Sequence, residues 1–175
     1  LRLGDDILPK NELQGWSVES DIRDGELNQP IEGQRLSKLQ GKIKAIPGQF
    51  SGSFDADVEG IPSDLEFTIP FGQEPVGERR IDVSASVSGT KIAQLVPALK
   101  GVVDGQVSAQ LSRVGQETRI VLDLTPTSLD LPAIAWKKGV GVRAKSSFVL
   151  ERENDGITNL RQIELDGDGF SAKGS

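Results

Sequence analysis

The chain has no cysteine, no histidine and no methionine in its 175 residues. Without cysteine there can be no disulfide, no thiol nucleophile and no thiolate metal site, although this does not fix the compartment. Without histidine the Ser-His-Asp arrangement is gone, along with the commonest general base and metal ligand. No apolar run reaches the roughly 18 residues that a membrane-spanning helix needs. No signal peptide precedes Leu1, so any anchor or targeting segment is expected outside this chain. The chain opens at Leu1 and stops at Ser175 inside a strand-like stretch, and residues 1–175 are read as one segment of a longer repetitive β-structure. Basic clusters are missing too: 26 acidic against 20 basic residues give a net charge of -6, spread along the chain. Nothing there could neutralise a row of phosphates, so nucleic acid is not an expected partner.

Motifs with chemistry are equally scarce. Gly72 and Gly77 have the spacing of a phosphate-binding loop, but Glu78 stands where a lysine must meet the phosphate. Gly139, Val140 and Gly141 read as a loop. Ser37 with Lys38, and Lys145 with Ser146, are immediate neighbours, and adjacent strand residues point to opposite faces rather than forming a dyad. Glu151, Glu153 and Asp155 faintly suggest a calcium loop, but Gln162 sits where the closing bidentate carboxylate is required. Asp166, Gly167, Asp168 and Gly169 read as a tight turn between strands. The expectation is therefore no catalysis, no cofactor and no metal.

What the chain does have is alternation. Hydrophobic residues make up 36% and there are 20 glycines, enough apolar content for a core. Phe50, Gly52, Phe54, Ala56 and Val58 alternate with Ser51, Ser53, Asp55 and Asp57. Leu65, Phe67 and Ile69 repeat the pattern, as do Ile81, Val83, Ala85 and Val87, then Val107, Ala109 and Leu111. Ile120, Leu122 and Leu124 follow, and near the end Ala144, Ser146, Phe148 and Leu150 face away from Lys145, Ser147, Val149 and Glu151. Period-2 alternation marks strands with one apolar face. Turn signals at Asn154-Asp155-Gly156, Gly115-Gln116 and 60–63 predict hairpins and hence antiparallel pairing. Residues 90–100 break the pattern: Ile92, Leu95, Val96 and Leu99 have helical spacing, and Pro97 limits them to a short or broken helix. In the N-terminal part, Trp16, Val18 and Ile22 suggest a strand, 25–34 is loop-like and 35–44 reads as a further strand. The fold class is all-β, an antiparallel amphipathic sheet with one short helix. From pattern alone an ordinary closed core, a sandwich or barrel, is the more usual home of such a face.

Two stretches resemble a known family. VSGTKIAQLVPALKGVVDGQVSAQL, over 87–111, resembles the strand, short helix, strand passage of AsmA-like envelope proteins of the YhdP and TamB type. LDLPAIAWKKGVGVRAKSSFVLE, over 129–151, resembles their stretch in which a Trp-Lys pair and a glycine precede an amphipathic strand, here Trp136, Lys137 and Gly141. The family often has a proline soon after that lysine, where this chain has Lys138 and Gly139. The match covers mainly 79–175, while 1–78 adds only strand-like patterning.

The resemblance implies an open, curled β-groove with an apolar lining, in a periplasmic protein anchored in the inner membrane of a Gram-negative cell. It further implies that phospholipid acyl chains are the partners, moved between inner and outer membranes through parts outside this segment. The expected lipid-facing residues are the largest side chains on the apolar side of each run: Phe50, Phe54, Phe67, Ile81, Val83, Leu111, Ile120, Leu122, Leu124 and Phe148. Asp55, Asp82 and Asp123 are expected to face water. The alternative is a structural or protein-interaction module whose strand edges recruit partners. Trp136 is expected to pack under a loop, and Lys137 and Lys138 to be solvated.

Overall fold

The computed structural model describes residues 15–31, 34–95, 97–132, 135–152 and 158–174. These form twelve strands and one short helix. Five strands open the chain: β1 (Val18–Ile31), β2 (Gln34–Ile46), β3 (Gln49–Val58), β4 (Ile61–Pro70) and β5 (Arg80–Ser88). Helix α1 (Gly89–Leu95) and a 3₁₀ turn at Pro97–Leu99 come next. Then follow β6 (Val103–Val114), β7 (Glu117–Asp123), β8 (Thr127–Leu131), β9 (Trp136–Lys138), β10 (Ala144–Arg152), β11 (Thr158–Gly167) and β12 (Phe170–Gly174). Every pairing is antiparallel. The main sheet runs β1-β2-β3-β4-β5-β6-β7-β10-β11-β12, and β8 and β9 branch from β6. Its first and last strands do not pair, so the sheet is open rather than closed into a barrel.

The alternation keeps its register from strand to strand. Phe54 lies opposite Leu65, Leu65 opposite Val83, Val83 opposite Leu111, Leu111 opposite Ile120 and Ile120 opposite Phe148. At roughly 0.2–1 kcal/mol for each cross-strand pair, these five contacts contribute about 1–5 kcal/mol. Facing residues share a side of the sheet, so the apolar positions of successive strands fuse into one surface. The polar residues between them form the other side.

Where the period fails, a bulge repairs it. Leu36 and Leu39 are three apart, yet both are buried on the apolar side, with only 5% and 6% exposure. Ser37 pairs with Asp57 and Gln40 with Asp55, so Lys38 and Leu39 together oppose Ala56 alone. Lys38 takes the positive φ of 53° that lets the strand step over one residue. Asp24 in β1 and Gln162 in β11 do the same, at φ 53° and 52°, each within a register shift. Bulges bend a strand and sharpen its twist, which curls the margins of this open sheet.

The 25–34 stretch departs from expectation. Strand β1 continues to Ile31 and β2 begins at Gln34: Gly25 pairs with Leu39, Leu27 with Leu36 and Ile31 with Gln34, with register shifts between these pairs. The turn before β4 is likewise one step earlier than 60–63, at Glu59 and Gly60. The hairpin signal at Asn154-Asp155-Gly156 lies outside the described residues, although β10 and β11 on either side pair antiparallel. Gly115-Gln116 and Asp168-Gly169 are turns, as read from the sequence. Helix α1 is capped by the Ser88 hydroxyl, which accepts from the Lys91 N–H at 3.2 Å, and the α-helix does not run on through Pro97.

Gly52 explains a flat aromatic patch on the apolar side. The Phe54 and Phe67 rings stack with centroids 5.9 Å apart, and Phe50 lies 5.3 Å from Phe67. A Cβ on Gly52 would come within 2.6 Å of the Phe54 ring and 2.8 Å of the Phe67 ring. Gly52→Val should therefore overpack this patch and cost about 1–3 kcal/mol. A fall in the urea midpoint at unchanged slope checks it, and a wild-type midpoint would show that the rings can move aside.

Candidate functional site

The apolar side of the main sheet offers a broad surface for contact. Ten strands at roughly 4.8 Å spacing make it about 45 Å wide. Among the described residues no second sheet covers it. Of the ten side chains singled out from the sequence, Phe50, Phe67, Ile81, Val83, Leu111, Ile120, Leu122 and Phe148 are half-buried. Phe54 and Leu124 are more enclosed, at 4% and 7% exposure, each inside a packed cluster. The register brings all but Leu124 onto one face; Leu124 lies just beyond the end of β7.

That end is closed. Ile92 of α1, Val103, Leu129 of β8 and Trp136 of β9 pack with Val107, Leu122, Leu124, Ala144 and Leu165. Strand β6 makes this possible by changing partners. It pairs with β7 from Ser108 onwards, but its first residues, Val103 to Gly105, pair with β8. Gly105 sits at the switch with φ +103°, and a Cβ there would lie 2.8 Å from the Pro126 carbonyl oxygen. Trp136 is thus part of a strand and packs its ring 4.8 Å from Phe170, rather than under a loop.

The branch point is held by a buried cation. Lys138 is only 4% exposed, not solvated as its sequence setting suggests. Its Nζ donates to the carbonyl oxygens of Thr127 at 2.5 Å, Gly139 at 3.1 Å and Thr125 at 3.4 Å. Those carbonyls flank the two places where β7 gives way to β8 and β9 to β10. Thr127, fully buried, donates its hydroxyl to Leu124 O at 2.6 Å, and Asp123 Oδ1 accepts from the Thr125 N–H at 2.9 Å. Burial holds the Lys138 ammonium below its ordinary pKa, opposed by the charge of Asp123. Asp123 is held low, first by the Thr125 hydroxyl and then by its N–H. Lys137, by contrast, is exposed and pairs with Asp130 at 2.8 Å. No sequence pattern distinguishes these two lysines; only the turn of the strand does.

The polar side is contoured differently. A hollow of about 650 Å³ near β1 to β5 is walled by Lys42, Lys44, Glu66, Arg80 and Asp82. Arg80 and Asp82 hold each other through two hydrogen bonds, which keep the Asp82 carboxyl below its usual range. Asp82 is consequently half-buried, whereas Asp55 and Asp123 are exposed to water as expected. Among the described residues no group of three or more acids is placed to hold a metal ion. Comparison with protein-family models, with curated proteins and with solved structures gives no match to this chain.

Lys138→Met should remove the ammonium donor from the buried Thr127 carbonyl and cost about 1–3 kcal/mol. The pH dependence carries a second signature. Because the folded pKa lies below 10.5, the unfolded chain binds more protons in the alkaline window just under 10.5, and stability from this group rises with pH there. The chain has no cysteine and no tyrosine to titrate in that range. Urea melts of wild type and Lys138→Met from pH 8 to 10.5 should therefore diverge, wild type gaining relative to the variant as pH increases. Parallel curves would mean that Lys138 is not held low.

Proposed function

We propose that this chain is a periplasmic segment of an AsmA-like envelope protein, and that its apolar face holds phospholipid acyl chains in transit between inner and outer membranes. One observation carries the reading: an apolar face kept in register across the main sheet, with half-buried side chains and, among the described residues, no second sheet over it. An apolar face that is only half-covered is costly to leave in water, and such faces are candidate contact sites. Each methylene moved from water onto such a surface gains about 0.8 kcal/mol. Neighbouring strands repeat similar apolar rows, so a chain can slide from one to the next without a steep step. No covalent chemistry is required of the protein.

The unpaired edges support a second reading, a module that recruits a partner strand. They are poorly suited to it. Edge strand β1 is interrupted by register shifts and carries Glu19, Asp21, Asp24 and Glu26, while β12 bears Lys173. Bulges and charges both discourage edge pairing.

The test places a photoreactive side chain at Phe148 and, in a second protein, at Ser147, and exposes each to phospholipid vesicles. These neighbours lie on opposite sides of β10. Crosslinked lipid is expected from position 148 and not from 147. Phe148→Asp should abolish lipid capture while the protein still unfolds cooperatively, because the position is on an open face. Equal crosslinking at both positions, or none at either, would sink the lipid reading.

A further inference from the structure

From β3 to β7 the apolar side carries a single charged residue, Arg113, near the end of β6. It is half-buried, flanked by Ile81 on one neighbouring strand and by Thr118 on the other. Its Nε donates to Gly115 O at 3.2 Å, which holds the guanidinium at the turn between β6 and β7. The opposite end of the same two strands is apolar and shut: Val107, six residues back along β6, is 2% exposed within the cluster closed by α1 and β8. Between these ends lie Leu111 and Ala109 on β6 and Ile120 and Leu122 on β7. At roughly 3.4 Å per residue the lane is about 20 Å long. One leaflet of a bilayer contributes half of an about 30 Å hydrocarbon core, so an acyl chain fits this length.

Resting on the acyl-chain reading above, we infer that β6 and β7 hold one acyl chain lengthwise. The anionic phosphate headgroup sits on Arg113 and Thr118, and the methyl end is stopped by the cluster around Val107. Guanidinium is suited to phosphate because its planar donors match the phosphate oxygens. The lane therefore has a polarity that the repeating apolar rows lack. It selects amphiphiles by headgroup charge at one end and by chain length at the other.

The probes are lysophosphatidylglycerols of increasing chain length, the corresponding straight-chain alcohols, and inorganic phosphate, each titrated below its micelle concentration against the whole chain. For wild type, lysophospholipid affinity should climb about threefold to fourfold per methylene and then stop climbing once the chain fills the lane. Arg113→Gln should weaken lysophosphatidylglycerol about tenfold and leave the alcohols unchanged; Arg113→Lys should retain most of the affinity. Thr118→Val, which removes only a hydroxyl, should weaken the same lipid about threefold, and melting curves confirm that each variant is folded. The assignment is overturned if Arg113→Gln weakens lipid and alcohol alike or neither, if affinity rises with chain length without a break, or if inorganic phosphate binds as tightly as the lipid. A wild-type protein that binds neither lysolipid nor alcohol would defeat the acyl-chain reading itself. Binding that is indifferent to Arg113 would defeat only the lane's polarity.

Discussion

Strand-to-strand register is the constraint from which the rest of this structure follows. A slip of one residue at any pairing would send every apolar side chain of that strand to the other face. Over β3 to β7 and β10 no such slip occurs, and the Phe54 to Phe148 row crosses six strands without a break. The apolar surface is thus a property of the pairing as a whole. Individual side chains are only partly shielded, and the sheet owes its persistence to many modest cross-strand contacts rather than to one dense centre.

The departures from regular pairing are few, and each has a consequence. Bulges at Asp24, Lys38 and Gln162 lie in β1, β2 and β11, at or next to the margins. They bend the sheet where curvature matters most to its openness. The bulge at Lys38 also returns Leu36 to the apolar side, so curvature and burial are obtained together. Its exposed ammonium pairs with Asp57 at 2.6 Å, an interaction that water largely screens. The second departure is the change of partner along β6. It converts an edge-to-edge sheet into one with a covered end, where the Lys138 ammonium donates to the buried Thr127 carbonyl.

Openness on one side and closure at one end are what give the face a functional reading. A wholly closed apolar layer would be a core, and a wholly open one would have no preferred direction. Here the shut end lies against α1, β8 and β9, and the far end of the same strands carries Arg113. The polar side, with its paired charges such as Arg80 and Asp82, keeps the other surface wet.

Sequence alone determined the elements that depend on local periodicity. The alternation in β3, β4, β5, β6, β7 and β10 placed nine of the ten proposed lining residues on one face, and Pro97 marked the end of the helix, because both signals act within a few neighbouring residues. Tertiary structure decided what local pattern leaves open. Leu36 and Leu39, three apart, looked ambiguous until a bulge made them partners. The short strands β8 and β9 had too few residues for a period to show. Lys137 and Lys138 are indistinguishable as a dipeptide, yet one is solvated and the other is buried against three carbonyls. Whether the apolar face would close into a sandwich or stay open was also invisible, because a strand's alternation records that one side avoids water and not what it meets instead.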